Sequence, residues 1–143
     1  MNTVKKIIKR RGGQVWFVDE ASTALDALRM MVEKDVGAVL VMKDEKISGI
    51  VSERDIARKI TFEKRDIENT SVIDIMTPDV FTIDAEQTIE TARALMTAHR
   101  IRHLPVVEHE KVIGVLSTRD VVSEIIVIQR QTIDFYKDIT FDE

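Results

Sequence analysis

The chain reads as an α/β protein built from two copies of one small unit, each ordered strand, helix, strand, strand, helix. Three observations predict this. The run GIVSERDIARKI at residues 49–60 returns as GVLSTRDVVSEI at 114–125, and the match extends without a gap, at an offset of 65, from Val15/Val80 to Ile60/Ile125. Asp19/Asp84, Thr23/Thr88, Ala27/Ala92, Met31/Met96, Val41/Val106 and Gly49/Gly114 coincide along it. Apolar residues change within each copy from short continuous runs to helical spacing and back. Finally, 143 residues with 44% hydrophobic and 32% charged side chains suit two halves that share a core because neither buries enough alone; 5 Gly and 2 Pro leave little room for disordered linker.

Each element follows from local chemistry. Residues 2–11 suit a short helix with Val4, Ile7 and Ile8 on one side, basic residues in its last turn and Gly12-Gly13 as its stop. VWFV at 15–18 is a β-rich run. From Thr23 a helix presents Leu25, Leu28 and Val32, flanked by Ala27 and Met31, and Thr23 with Asp26 forms a capping box. AVLVM and ISGIV joined by KDEK read as a hairpin, and Ser52 opens a second helix. The second copy repeats the order with VFTI at 80–83, a helix from Thr88 to about Arg100, LPVV, VIGVL and a helix from Ser117. Apolar residues continue through Ile126, Ile128, Ile133 and Tyr136, so the last helix is expected to outrun its counterpart and offer a contact surface. The predicted divisions are 1–14 (N-terminal helical segment), 15–60 (first repeat), 61–79 (a polar linker with a short apolar segment, VIDIM, and Pro78, which opposes a continued helix), 80–125 (second repeat) and 126–143 (helical extension).

The repeated Ser, Arg and Asp carry the functional question. Ser52/Asp55 and Ser117/Asp120 each match a capping box, which accounts for serine and aspartate alone. Arg54 and Arg119 fall in first turns, at the positive end of the helix dipole, where a cation costs about 0.3–1 kcal/mol unless an anion compensates it. A helix N-terminus after a glycine-containing strand offers amides to a phosphate, arginine adds charge-assisted bonds, and an adjacent aspartate can accept from a ribose diol. Together they suggest a nucleotide.

These residues resemble the paired CBS domains, named for cystathionine β-synthase and also called a Bateman module, of the small stand-alone type. The likeness rests on GAVLVMKDEKISGIVSERD at 37–55, DIMTPDVFTI at 74–83 and RIRHLPVVEHEKVIGVLSTRD at 100–120. It implies two β-α-β-β-α repeats related by a pseudo-twofold axis, two clefts between them for adenosine-containing ligands such as AMP, ADP, ATP, NAD or S-adenosylmethionine, and a disc-shaped homodimer. Carried over, one cleft uses Asp120 for ribose, Ser117 for ribose or phosphate, Arg119, Arg102, His103 and Pro105, with a base-binding wall at Val15, Trp16 and Phe17. The other uses Asp55, Ser52, Arg54, Gly37, Ala38, Val80, Phe81 and Thr82. Gly37 and Ala38 stand where the second half has Arg102 and His103, so the clefts are chemically unequal and the Asp120 cleft is better equipped.

Other classes fit less well. A net charge of −4 argues against nucleic acid, whose backbone needs a clustered excess of Lys and Arg. Without cysteine there is no disulfide, thiolate site or cysteine nucleophile. No apolar stretch approaches bilayer length, and the basic N-terminus lacks the apolar core of a secretory signal, so a cytoplasmic location without membrane contact is expected. His99 and His103 are four apart, yet the chain should leave its helix between them and no third ligand is apparent, so no metal is expected. His109 reads as solvated, Phe17 and the methionines as core, and Trp16 as either core or a stacking surface. KKIIKRR at 5–11 reads as a solvated helix end or a contact for phosphate or acidic groups. No nucleophile elbow, P-loop or HExxH pattern is present, so the expectation is a regulatory sensor of adenosine ligands acting on an unidentified protein, without a catalytic cofactor. The alternative is an unliganded scaffold acting through its helical surfaces.

Overall fold

In the computed structural model, which describes residues 3–141, two small sheets carry helices in the repeated order. Helix α1 (Val4–Arg10) precedes β1 (Phe17–Asp19), α2 (Ala24–Lys34), β2 (Ala38–Lys43), β3 (Lys46–Ser52) and α3 (Glu53–Asp55). A π-helix (Ile56–Phe62) continues α3 directly, where an ordinary helix was expected. After a 3-10 turn at Val72–Asp74 come β4 (Thr77–Pro78), β5 (Ile83–Asp84), α4 (Ile89–His99), β6 (His103–Glu108), β7 (Lys111–Ser117) and α5 (Thr118–Phe141). The sheets are ordered β1-β2-β3-β4 and β5-β6-β7, with β1 parallel to β2, β5 parallel to β6 and the other neighbours antiparallel.

The two halves agree in detail. Thr23 and Thr88 cap α2 and α4, and Asp35 and Arg100 end them in the left-handed region at φ 53°. Asp44-Glu45 and His109-Glu110 turn the hairpins with both residues at positive φ, the conformation of a tight two-residue turn that matches strand twist. Both hairpins shift register at the same place, between Val41/Met42 and between Val106/Val107.

Three further expectations change. The strands predicted at 15–18 and 80–83 shorten to Phe17–Asp19 and Ile83–Asp84. The ladder with β2 begins only at Phe17↔Leu40, and the chain turns at Asp79, φ 53°, on its way from one sheet to the other. The face that α2 buries is Ala24, Ala27 and Met31, while Val32 is 72% exposed; small residues let the helix lie close to the sheet. The segment read as polar linker is solvated only as far as about residue 70, since Val72 and Ile75 are fully buried in the first half's core.

That last difference exposes a second register of the repeat. Val4, Ile7 and Ile8 of α1 pack in the core of the second half, with Ile83, Ile89, Leu104 and Leu116. Val72, Ile75 and Met76 pack in the first half in the same way. Thr3 bridges Thr88 as Ser71 bridges Thr23, and the Val4 amide donates to Gln87 O as the Val72 amide does to Ser22 O. These straps correspond at an offset of 68 rather than 65, so three residues enter between strap and strand. Each strap precedes its own repeat and docks on the other one. Seven residues of isolated helix would be unstable in water, so α1 owes its existence to this docking, in which each buried aliphatic side chain contributes about 1.5–3 kcal/mol.

Gly49 and Gly114 admit the straps. A Cβ on Gly114 would meet side-chain atoms alone, Ile8 Cγ2 at 2.7 Å and Cδ1 at 2.9 Å. At Gly49 it would meet Met76 Sδ at 2.6 Å and also the Thr77 carbonyl oxygen at 2.8 Å, which is backbone held in the ladder with β3. Gly49→Ala is therefore expected to destabilise by about 2 kcal/mol and Gly114→Ala by clearly less, read by urea denaturation. Equal losses would mean that the strap backbone yields as readily as an isoleucine side chain.

Candidate functional site

The ends of β3 and β7 face the seam between the halves, and each opens a helix there. Ser117 ends β7 and caps α5: its Oγ accepts from the Asp120 amide at 3.2 Å, while Asp120 Oδ2 accepts from the Ser117 amide at 2.7 Å and its hydroxyl at 2.8 Å. Ser52 and Asp55 build the same box at 2.9–3.3 Å. The amide of Thr118 donates to Arg102 O and that of Glu53 to Gly37 O, so each helix start is tied to the residue that precedes the hairpin. This uses the amides thought available for a phosphate. Of the first three on α5, Arg119 N alone is without a partner among the described residues. Anion affinity here has to come mainly from side chains.

A cavity of about 500 Å³ opens at this seam. From the second half it is lined by Arg102, His103, Ser117, Thr118, Arg119 and Asp120. Trp16, Gly37, Ala38 and Glu53 face them from the first half, and Arg11 and Gln14 come from the segment that joins α1 to β1. Trp16 settles both of its readings at once: it packs partly buried against the first core, with Lys34 Nζ 4.5 Å over its ring, and it borders the cavity. Burial holds His103 below the ordinary histidine value; Asp120 opposes this, Arg102 adds to it and Glu53 opposes it, which keeps the ring neutral at neutral pH.

Of the residues assigned to the Asp120 cleft, Trp16, Arg102, His103, Ser117, Arg119 and Asp120 come together here. Val15, Phe17 and Pro105 do not line the cavity: Phe17 is half exposed in β1, and Pro105 is buried in β6 opposite Val115. Gly37 and Ala38, assigned to the other cleft, line this one, because the residues that begin β2 and β6 meet across the seam; a Cβ on Gly37 would sit 3.5 Å from His103 Nε2. Ser52, Asp55, Val80, Phe81 and Thr82 lie outside this cavity. Phe81 stacks on His99 at 3.8 Å, and Asp55 is paired with Lys59 at 3.2 Å. Arg54 lines a shallower depression between α4 and α5, beside Arg93, Arg100 and Arg102. Among the described residues no group of three His, Cys, Asp or Glu side chains is placed to hold a metal. Among the described residues no helix is long and apolar enough to cross a membrane.

Sequence reasoning missed Gln14, Thr118 and Glu53 as lining residues, and noted Arg11 only within KKIIKRR, the basic run read as a solvated helix end or a contact for phosphate or acidic groups. Thr118 and Glu53 were legible, being neighbours of the capping serines at equivalent positions. Arg11 and Gln14 were not, since only the crossing of α1 onto the second half brings them to the seam.

The model of the CBS domain matches the chain twice, over residues 4–61 and 72–127, starting at the equivalent strap residues Val4 and Val72. The mitochondrial CBS domain-containing protein CBSX3 of Arabidopsis thaliana is 35% identical over 133 residues, which cover 87% of this chain and 65% of the plant protein's length. A solved CBS-domain protein from Burkholderia ambifaria superposes with a TM-score of 0.83 at 40% identity, over 88% of this chain and 95% of its own. A CBS-domain protein from Pyrobaculum aerophilum, solved in complex with AMP, shares the fold at a TM-score of 0.74 and 24% identity, over 82% of this chain and 88% of its own. Two matches in one chain, two like halves and straps exchanged between them establish that this protein belongs to the CBS-domain family, as a tandem pair.

Proposed function

We propose that the protein is a regulatory module that binds an adenosine-containing ligand, AMP, ADP, ATP or NAD, in the seam cavity and passes its occupancy to a partner protein without catalysing a reaction. The supporting observation is the meeting of complementary groups from both halves in one cavity. Ser117 and Asp120 suit a ribose diol, Arg102, Arg119 and His103 suit phosphate, and Trp16 offers a face to the base. The AMP complex of the Pyrobaculum aerophilum protein lends weight to the ligand class. A ligand that touches both halves favours whichever arrangement of them gives the tighter cavity, and the free energy available for signalling is that difference in affinity.

The alternative, an interaction or scaffold module, draws on a different feature. Helix α5 runs 24 residues and leaves Val122, Ile126, Ile133 and Tyr136 exposed on one side. In our reading this apolar stripe serves a homodimer, and the scaffold role becomes the whole function only if the cavity takes no ligand.

Two measurements test the proposal. Ligand at a hundred times its Kd should add about 2.7 kcal/mol to stability and raise the melting temperature. Asp120→Ala should abolish that rise, and Asp55→Ala should keep it, although each loses the reciprocal half of its capping box. An unchanged rise in Asp120→Ala would remove the assignment.

Proton linkage supplies the second. His103 is neutral in the free protein because its pKa is lowered, and a bound phosphate would favour the imidazolium, so binding takes up a proton and affinity should increase as pH falls from 8 toward 6. Phosphate itself titrates near pH 6, so the quantity to read is the difference between wild type and His103→Gln. Parallel pH profiles in the two proteins would exclude His103 from contact with the phosphate.

A further inference from the structure

Asp120 and Asp55 hold equivalent places in the repeat, yet their charges are balanced from different directions. Asp55 is paired within its own helix by Lys59, four residues on. At the counterpart of Lys59 the second half has Glu124, a buried acid that adds negative charge to the same helix start. Consecutive arginines at the end of α1 answer both acids. Arg10 Nη2 lies 2.8 Å from Glu124 Oε1, and Arg11 Nη1 lies 2.5 Å from Asp120 Oδ2 while also donating to Val115 O at 3.3 Å. In the other strap, at the offset of 68, Pro78 and Asp79 stand at these two places. The device is built on one side of the molecule.

The bonds of this pair leave a matched set of vacancies. Asp120 Oδ2 accepts from Ser117 N, Ser117 Oγ and Arg11, whereas Oδ1 accepts from no described residue. Both bonds of Arg11 leave from Nη1, and among the described residues Nη2 and Nε have no partner. The side chain is 44% exposed and lines the cavity. A carboxylate with one unused oxygen is thus bonded to a guanidinium with an unused edge, and both border the same space.

We propose that Arg11 is the specificity residue of this cavity, selecting adenosine ligands that carry a 5′-phosphate over the unphosphorylated nucleoside. The inference rests on the ligand class proposed above. A ribose hydroxyl donates to Asp120 Oδ1, and a phosphate on the same sugar accepts from Nη2 and Nε, so the guanidinium bridges carboxylate and phosphate by two different edges. The nucleoside leaves the second edge unused and gains nothing from it. A lysine has no second edge to offer, which makes the site one for arginine.

Calorimetry with AMP and adenosine as probes tests this on the full chain in wild type, Arg11→Gln and Arg10→Gln. Arg11→Gln should weaken AMP about tenfold while changing adenosine less than about twofold, so that the preference for AMP collapses. Arg10→Gln removes the neighbouring ion pair, which lies outside the cavity, and should keep the preference. A loss of similar size for both ligands in Arg11→Gln, or no loss for either, overturns the role of Arg11 and leaves the nucleotide reading standing. If wild type binds neither probe, the nucleotide reading falls and takes this inference with it.

Discussion

The carboxylate of Asp120 does two jobs at once. Inside its own helix it closes the first turn of α5 with Ser117, and toward the seam it borders the cavity. The first job fixes the second, because a side chain held by its own capping bonds has little rotational freedom to lose when a ligand arrives. The capping and binding readings of the Ser-x-Arg-Asp run are therefore not rivals. The cap is what preorganises the acid.

The straps extend this logic to the whole fold. Each half of a chain this short buries too little surface alone, and exchange of Val4–Arg10 and Val72–Asp74 between the halves completes both cores while tying them together. The crossing also makes the cavity a property of the pair, since the segment that carries Arg11 reaches the second half only because α1 docks there. Any change in how the halves meet moves Gly37 and Trp16 relative to Asp120 and to Arg11, which is bonded to the second half. A cavity lined from both halves changes shape with their arrangement.

Much of this was legible in the sequence, for identifiable reasons. Thr23 with Asp26 and Ser117 with Asp120 announce helix starts because capping is local chemistry. Both hairpins follow from β-rich runs around short polar turns, and the long α5 from apolar residues that continue past the end of the repeat. What stayed hidden depends on contacts distant in sequence. The straps escaped the ungapped repeat because the offset changes from 65 to 68 at residues 11–14, so Val72 and Ile75 looked like linker. The brief strands at Phe17 and Ile83 begin only where pairing begins, at Leu40 of β2 and Val106 of β6, and Val32 faces solvent because α2 docks through its alanines. At the site, Trp16, Arg102, His103, Ser117, Arg119 and Asp120 could be named in advance as one group. Gly37 and Ala38, assigned to the other cleft, line this cavity, because the repeat shows which positions correspond and not which ones meet across the seam.

The central claim is that one adenosine-type ligand touches both halves at the seam. Amide and indole NMR shifts recorded while AMP is added would test it most directly. The account predicts saturable shifts at the unpartnered Arg119 amide and at Gly37, Ala38 and the Trp16 indole together, since these groups from both halves border one cavity. Saturating AMP that leaves all four signals in place, or moves only those of α5 beyond Ile128, would contradict it.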